Sequence, residues 1–280
     1  MGRLVLCRPP TEPVANMTQG NAPAVAKDDT LVSVIMPCLN AQATLEQAIS
    51  SVLQQDHQNL ELLVIDDGSV DGSQAIALSF QETDSRVVVL ESGRAGGVSG
   101  ARNRGLAVAR GRFVTFLDAD DYLLEGSLRR RIELCLKEEV DLVYGPYQRL
   151  MPSGIFKLVK VPSSISRKDM LKKNYIGNLT GLYDARALGV TFQRPIRHED
   201  YVMWCEILEK TGCAHAVQGD PLAVYRVSGS SLSGNKMKAA FWHWRVLRIS
   251  FDLNLIKALY YQFFFIYLSV VERLRERFER

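Results

Sequence analysis

Between residues 31 and 117 the chain alternates short apolar runs, rich in β-branched residues, with stretches of helical periodicity. The runs are Leu31–Met36, Leu60–Ile65, Arg86–Leu90 and Phe113–Leu117. The spacing predicts helices over Ala43–Gln54, Ser73–Ser79 and Ala101–Ala109. In the first of these, apolar residues recur at 45, 48, 49, 52 and 53, the period of a helix with one buried face. Strands that alternate with helices form a parallel sheet with helices on both faces. The expected class is therefore α/β, with a Rossmann-like, mostly parallel sheet. A further helix is predicted over Leu123–Lys137, strand character at Asp141–Tyr144, and a hairpin over Tyr147–Val161 turning at Pro152-Ser153-Gly154. Helices are also predicted over Ser166–Asn174 and Tyr201–Thr211.

The ends of these runs carry the chemistry. Val64-Ile65-Asp66-Asp67-Gly68-Ser69 and Phe116-Leu117-Asp118-Ala119-Asp120-Asp121 each put carboxylates directly after an apolar strand. In an open α/β sheet that edge is where ligands bind. Three carboxylates in four residues repel one another unless solvated or joined by a cation, so Asp118-Ala119-Asp120-Asp121 points to Mg²⁺ or Mn²⁺ with a diphosphate completing the shell. Capping of the following helix is an alternative for Asp121, as it is for Asp71 after the first acidic turn. The glycine loop Gly93-Arg94-Ala95-Gly96-Gly97-Val98-Ser99-Gly100 leads into a helix and offers backbone N–H groups to phosphate. It matches neither the G-x-G-x-x-G nor the G-K-[ST] fingerprint. Arg102, Asn103 and Arg104 follow, to meet a ligand's anion or to buttress the acids. In His198-Glu199-Asp200 a carboxylate is positioned to deprotonate a hydroxyl, with helix capping as the competing role.

Composition narrows the class. With 280 residues, 47% hydrophobic and 23% charged, the chain has material for one large domain or a domain plus an appendage. A net charge of +3 gives no case for nucleic acid. Its distribution is informative: residues 234–280 hold nine Lys/Arg against four Asp/Glu, in the part also richest in aromatics. That combination points to an anionic membrane surface. The 17 residues Leu255–Val271, interrupted by Lys257, Gln262 and Ser269, span about 26 Å as a helix, at the short limit for crossing a bilayer. In-plane or re-entrant contact is therefore expected rather than a span. Packing of this helix on the rest of the chain or on a second copy is the alternative. Five scattered cysteines without a C-x-x-C pair fit a reducing compartment rather than a disulfide framework or structural zinc. Residues 1–30, with four prolines, read as a disordered leader within which Met17 is a possible start.

From about Val32 to Ser233 the chain resembles the family-2 glycosyltransferases, inverting enzymes of the GT-A fold. The resemblance rests on Ser33-Val34-Ile35-Met36-Pro37 with Asn40, Val64–Ser69, Ala101-Arg102-Asn103-Arg104-Gly105, Phe116–Asp121, Glu199-Asp200, Tyr225-Arg226 and Ser231-Leu232-Ser233. The Ser231–Lys236 segment is similar to bacterial enzymes that build capsular, O-antigen and exopolysaccharide repeats. The resemblance implies a GT-A domain over 31–233 followed by a helical tail over 234–280. It implies a nucleotide-sugar donor, usually UDP-linked, held by Pro37, Asn40, Asp67, Gly97, Arg102, Asn103 and Asp118. Asp67 would meet the base, with Asn40 nearby. Asp120 or Asp121 would touch Mn²⁺ or Mg²⁺, and Asp200, with Glu199 beside it, would take the proton of a saccharide or lipid-linked acceptor. The implied location is the cytoplasm, peripheral on the inner membrane. One departure stands out. Many relatives carry a His after the Tyr-Arg pair, where this chain has Val227-Ser228. A sugar-phosphate nucleotidyltransferase would need a glycine- and lysine-rich loop that Met36–Asn40 does not supply. A non-catalytic membrane-bound relative remains the other reading.

Overall fold

The computed structural model describes residues 30–91, 96–227 and 236–278. Its main sheet has eight strands in the order β3-β2-β1-β4-β10-β6-β11-β9. They are β1 (Val32–Cys38), β2 (Leu60–Asp66), β3 (Val87–Glu91), β4 (Phe113–Phe116), β6 (Leu142–Tyr144), β9 (Ser164–Ser166), β10 (Leu182–Asp184) and β11 (Cys213–Ala216). β1, β2, β3 and β4 run parallel, β10 is antiparallel to both its neighbours, and β11 returns parallel to β6. The expected mostly parallel α/β sheet is thus observed. A second, four-stranded sheet has the order β5-β12-β7-β8, from β5 (Tyr122–Leu123), β7 (Tyr147–Leu150), β8 (Phe156–Val159) and β12 (Ala223–Arg226). β7 and β8 are the expected hairpin.

Side-chain alternation along β1 divides the core. Val34 and Met36 join a cluster with Leu45, Ile49 and Val52 of α1 (Leu45–Leu53), Ala77 of α2 (Ser73–Thr83) and Leu128 and Ile132 of α4 (Ser127–Glu138). Ile35 faces the opposite side, with Ala101 and Leu106 of α3 (Gly97–Leu106) and Val202, Trp204 and Leu208 of α7 (Glu199–Thr211). Strands buried on both faces read as continuous apolar runs, which is why β1 and β2 are so plain in the sequence. α3 lies very close to the sheet. A Cβ on Gly105 would be 2.8 Å from both Ile35 Cγ2 and Ile65 Cδ1.

Three expectations are corrected. β1 does not stop before Pro37 but continues to Cys38. The missing N–H of Pro37 would point toward β4, whose ladder ends at the Ile35–Phe116 pair, so no bond is lost. The helix expected from Leu123 starts only at Ser127, because Leu123 pairs with Ala223 in the second sheet. The helix expected over Ser166–Asn174 is the single turn α5 (Arg167–Met170), opened by a reciprocal Ser166–Asp169 capping box. α6 (Ala185–Leu188) is another single turn, capped by Asp184.

Beyond the sheets, α8 (Lys236–Arg245) leads through a π-turn at Val246–Ser250 to α9 (Leu255–Phe278). Leu247 and Ala258 anchor this tail on Leu171. His243 is buried between the two tail helices, its Nδ1 2.8 Å from Gln262 Oε1 and its Nε2 3.1 Å from Leu171 O. Among the described residues no helix is long and apolar enough to cross a membrane. The leader up to residue 29, Gly93–Ala95, Ser228 and Ser231–Asn235 lie outside the described residues, as does the expected boundary at 233/234. The four described cysteines, Cys38, Cys135, Cys205 and Cys213, are buried, and among the described residues none is disulfide-bonded to another.

Candidate active site

Parallel register brings the strand ends, and hence the acidic turns, to one edge. Cys38 is level with Asp66, Asp67 N donates to Cys38 O at 2.8 Å, and Leu117 N donates to Ile35 O at 3.0 Å. Over this edge opens a cavity of about 440 Å³ whose lining includes Pro37, Asn40, Asp67, Gly97, Asp118 and Asp120. Six of the expected site residues, separated by up to 83 positions in the chain, thus share one wall. The volume is that of a small-molecule site.

Two loops form the floor and are stitched by side chains. Asn40 takes up a left-handed φ of 51°, and its Oδ1 accepts from Val70 N at 2.9 Å while its own N donates to Ser69 Oγ at 2.9 Å. Asp71 accepts from Ser73 N and Ser73 Oγ, and also from Gln42 N at 3.0 Å. The Ser73 hydroxyl, ahead of the backbone donors, holds its carboxyl below the usual range. Asp71, one residue before the Gly72 N-cap, therefore takes up the first N–H of α2 and also ties down the neighbouring loop. The hydrogen bonds of Asn40 orient the two loops that flank Asp67.

Arg102 lies behind the cavity rather than in it. It is only 4% exposed, yet its Nη2 is 2.6 Å from Asp118 Oδ1 and its Nη1 is 3.3 Å from Glu199 Oε1. Burial alone would lower its pKa, and the carboxylates of Asp118, Asp200 and Glu199 more than reverse that. Of the two roles open from the sequence, the buttress of the acids is the one this geometry fits. Asn103 also faces away. It exchanges two hydrogen bonds of 2.8 Å with the backbone of Gln193, fixing the approach to α7, and Arg104 is exposed.

The third acidic turn divides into three environments. Asp118, with a side chain 34% exposed, opens into the cavity while holding Arg102. Asp120 also lines it, and its carboxyl is raised by loss of solvent and then by Asp118. Asp121 is 2% exposed and is not in the cavity lining. Its Oδ1 accepts from Arg226 N at 2.8 Å, and burial, followed by repulsion from Asp118 and Asp120, pushes its carboxyl up to about 9. Asp121 does not cap α4, because β5 intervenes. Arg226 closes the arrangement by donating to Asp120 O at 2.9 Å, with its guanidinium 5.2 Å over the Tyr122 ring. Among the described residues no three His, Cys, Asp or Glu side chains converge to hold a cation by themselves.

Glu199 and Asp200 form the first turn of α7, after His198 at φ 62°. Burial, more than the adjacent Asp200, raises the Glu199 carboxyl. The Asp200 carboxylate accepts no hydrogen bond among the described residues, while its charge acts on Arg102. Gln193 was not legible as a site residue. It meets Arg102 and Asn103 from about ninety positions away, with no local motif to mark it. Arg226 was legible only as part of the Tyr225-Arg226 pair, without a role.

The family model for glycosyl transferase family 2 matches residues 33–182, covering this edge as far as β10. The UDP-Glc:alpha-D-GlcNAc-diphosphoundecaprenol beta-1,3-glucosyltransferase WfgD of Escherichia coli is 38% identical over 244 residues, which are 87% of this chain and 95% of that protein. The putative teichuronic acid biosynthesis glycosyltransferase TuaG of Bacillus subtilis is 34% identical, over 81% of this chain and 91% of its own length. Among solved structures, S. aureus TarS 1-349 in complex with UDP-GlcNAc superposes with a TM-score of 0.66 at 17% identity, covering 84% of this chain and 71% of that one. The mannosyltransferase PcManGT of Pyrobaculum calidifontis, in complex with GDP-Man and Mn2+, gives 0.59 at 18% identity, over 78% and 64%. At such identity these structures speak for the fold alone, which is GT-A. The sequence matches carry the assignment further: this chain belongs to glycosyl transferase family 2 and is a glycosyltransferase.

Proposed function

We propose that the chain moves a sugar from a UDP-sugar, with a divalent cation and with inversion, to a saccharide carried on a lipid diphosphate, in the synthesis of a cell-surface polysaccharide. One observation carries this reading. Asp118, which lines the donor cavity with Asp67 and Asp120, is joined through the buried guanidinium of Arg102 to Glu199 at the start of α7. The donor and acceptor halves are thereby held in fixed relation, which is what a one-step displacement requires. The donor and acceptor classes follow those in the name of the similar E. coli enzyme.

In this reading Asp67 meets the nucleotide base, with Pro37 and Asn40 forming the adjacent wall and Gly97 offering backbone N–H at the start of α3. Arg102 and Asn103 position this machinery rather than touch the donor. Asp118 and Asp120 suit Mn²⁺ or Mg²⁺, because such a cation takes one or two carboxylates and completes its shell with substrate phosphates. The Asp120 carboxyl is raised by loss of solvent and then by Asp118, and a cation beside it would favour its charged form. When bound, the metal neutralises charge on the departing diphosphate. Asp121 holds Arg226 from behind and is not needed as a ligand. Asp200 takes the acceptor hydroxyl proton, while Glu199, tied to Arg102, orients that turn. No carboxylate nucleophile is required, unlike in retaining glycosidases.

The same proposal puts the chain on the cytoplasmic face of a membrane as a peripheral protein. Ile256, Leu259, Tyr260, Phe263, Tyr267 and Val270 recur at helical spacing on α9 and are each about half exposed or more. Such an apolar stripe beside basic residues suits an anionic surface.

Thermal unfolding with UDP, GDP, TDP or CMP, each with and without Mn²⁺, tests the donor site. Stabilisation by UDP only when metal is present is the expected result. Asp200→Asn should keep that response and lose transfer. Indifference to every nucleotide, or an active Asp200→Asn, would count against the reading.

A further inference from the structure

Trp242 of α8 carries a guanidinium against it from each of two elements. Arg197 Cζ lies 4.9 Å from its ring centroid and Arg245 Cζ lies 5.1 Å from it. Phe241 meets the same indole edge-on at 5.6 Å, with Arg245 also 6.0 Å from the Phe241 ring. Both arginines are exposed, and among the described residues no carboxylate pairs with either. Their neighbours differ. Arg194, three positions before Arg197, is neutralised by Glu206 at 2.5 Å. Arg86, Arg102, Arg110, Arg112 and Arg129 are likewise paired with acids.

The location gives this pair a use. Arg197 immediately precedes His198, the residue that opens α7 before Glu199 and Asp200. α8 is held against that region by firm contacts. His243, next to Trp242, has its Nε2 3.1 Å from Leu171 O, and its ring lies 6.2 Å from the Tyr201 ring. His198 is near enough to His243 to disfavour its charged form. Two like-charged guanidiniums are thus gathered on one indole beside the turn assigned to the acceptor. An aromatic ring offers a guanidinium no oxygen acceptor, so both side chains keep N–H donors for a ligand, a fork that matches phosphate oxygens.

Resting on the acceptor class proposed above, we infer that Arg197 and Arg245, arrayed on Trp242, bind the diphosphate of the lipid-linked acceptor and so hold its sugar at Asp200. The diphosphate of the donor has its own cation site across Arg102. That of the acceptor needs separate positive charge, and the carboxylates of Glu199 and Asp200 would repel it. A phosphate oxyanion at this pair has two possible sources, the acceptor or a membrane phospholipid. The acceptor is favoured because the pair adjoins the Glu199–Asp200 turn.

The test measures transfer from UDP-glucose, with Mn²⁺, to two water-soluble acceptors bearing α-D-GlcNAc. One is joined to a short alkyl chain through a diphosphate and the other is a plain alkyl glycoside. In the Arg197→Gln/Arg245→Gln variant KM for the diphosphate acceptor should rise about tenfold or more, as expected for losing charge-assisted hydrogen bonds. The kcat/KM preference for it over the plain glycoside should fall by a similar factor. Stabilisation by UDP with Mn²⁺ should match wild type. A diphosphate acceptor KM that stays put overturns the inference. So does a variant that keeps this KM but no longer sediments with phosphatidylglycerol vesicles, because the arginines then serve lipid headgroups. If the double variant fails to fold, the two single Arg→Lys variants keep charge without the fork, and each should raise KM several-fold; no change in either is equally fatal. Wild type that transfers to neither acceptor overturns both readings, whereas active wild type with an insensitive variant overturns this one alone.

Discussion

Arg102 Nη2 sits 2.6 Å from Asp118 Oδ1, and the same side chain reaches Glu199, so one buried cation joins the end of β4 to the start of α7. Removing it strands two carboxylates. Arg102→Met should lower unfolding free energy by about 3 kcal/mol, the scale for breaking a buried pair by deleting one partner, and should abolish transfer. Urea denaturation checks the first outcome. A loss under about 1 kcal/mol, the range of surface ion pairs, would mean that the pair is solvated in solution.

Asp120 and Asp121 should separate on substitution. Asp121→Asn keeps an acceptor for Arg226 N, so Mn²⁺-dependent stabilisation by UDP should persist. Asp120→Asn should remove most of that response. Asp121→Ala leaves the partly buried N–H of Arg226 without this partner and should cost about 1 kcal/mol. Isothermal titration of UDP with Mn²⁺, run on all three, measures the difference, and an Asp121→Asn variant blind to metal would restore that residue as a ligand.

Gly105 is a packing constraint rather than a catalytic one. A methyl group there meets Ile35 and Ile65 at 2.8 Å, so Gly105→Ala should destabilise by about 1–3 kcal/mol despite its better helix propensity. A thermal melt that shows any gain in stability would contradict this close approach of α3 to the sheet.

His243 makes attachment of the tail sensitive to pH. Burial lowers its pKa from 6.5, with Gln262 and Leu171 opposing and His198 adding to the effect. The neutral ring is therefore favoured in the folded state. Its contribution is present above 6.5 and declines as pH falls below that value, where the released tail binds a proton more readily. Limited proteolysis at pH 7.5 and pH 5.5 should release the tail faster at the lower pH, and His243→Gln should remove the difference.

Much of the candidate site was legible because its residues follow strands. The apolar runs before Asp67 and Asp118 define where the chain must turn, and parallel pairing then gathers those turns. Asp121 shows where reading by position stops. Three acids in a row look equivalent in the sequence, but the pairing of Tyr122 and Leu123 with β12 turns one of them inward onto Arg226. The Leu123 helix was misread for the same reason, since a two-residue strand leaves no periodicity.

The sequence by itself determined the α/β class, the succession of β1 to β4 along the chain, the hairpin β7–β8 and the acids at the strand ends, because local periodicity and turn chemistry encode them. Only the tertiary structure decided that Arg102 serves the acids from behind, that Gln193 locks Asn103, and that Arg197 and Arg245 share Trp242. Those relationships join residues tens of positions apart, and their energies exist only once burial removes water from the groups that meet.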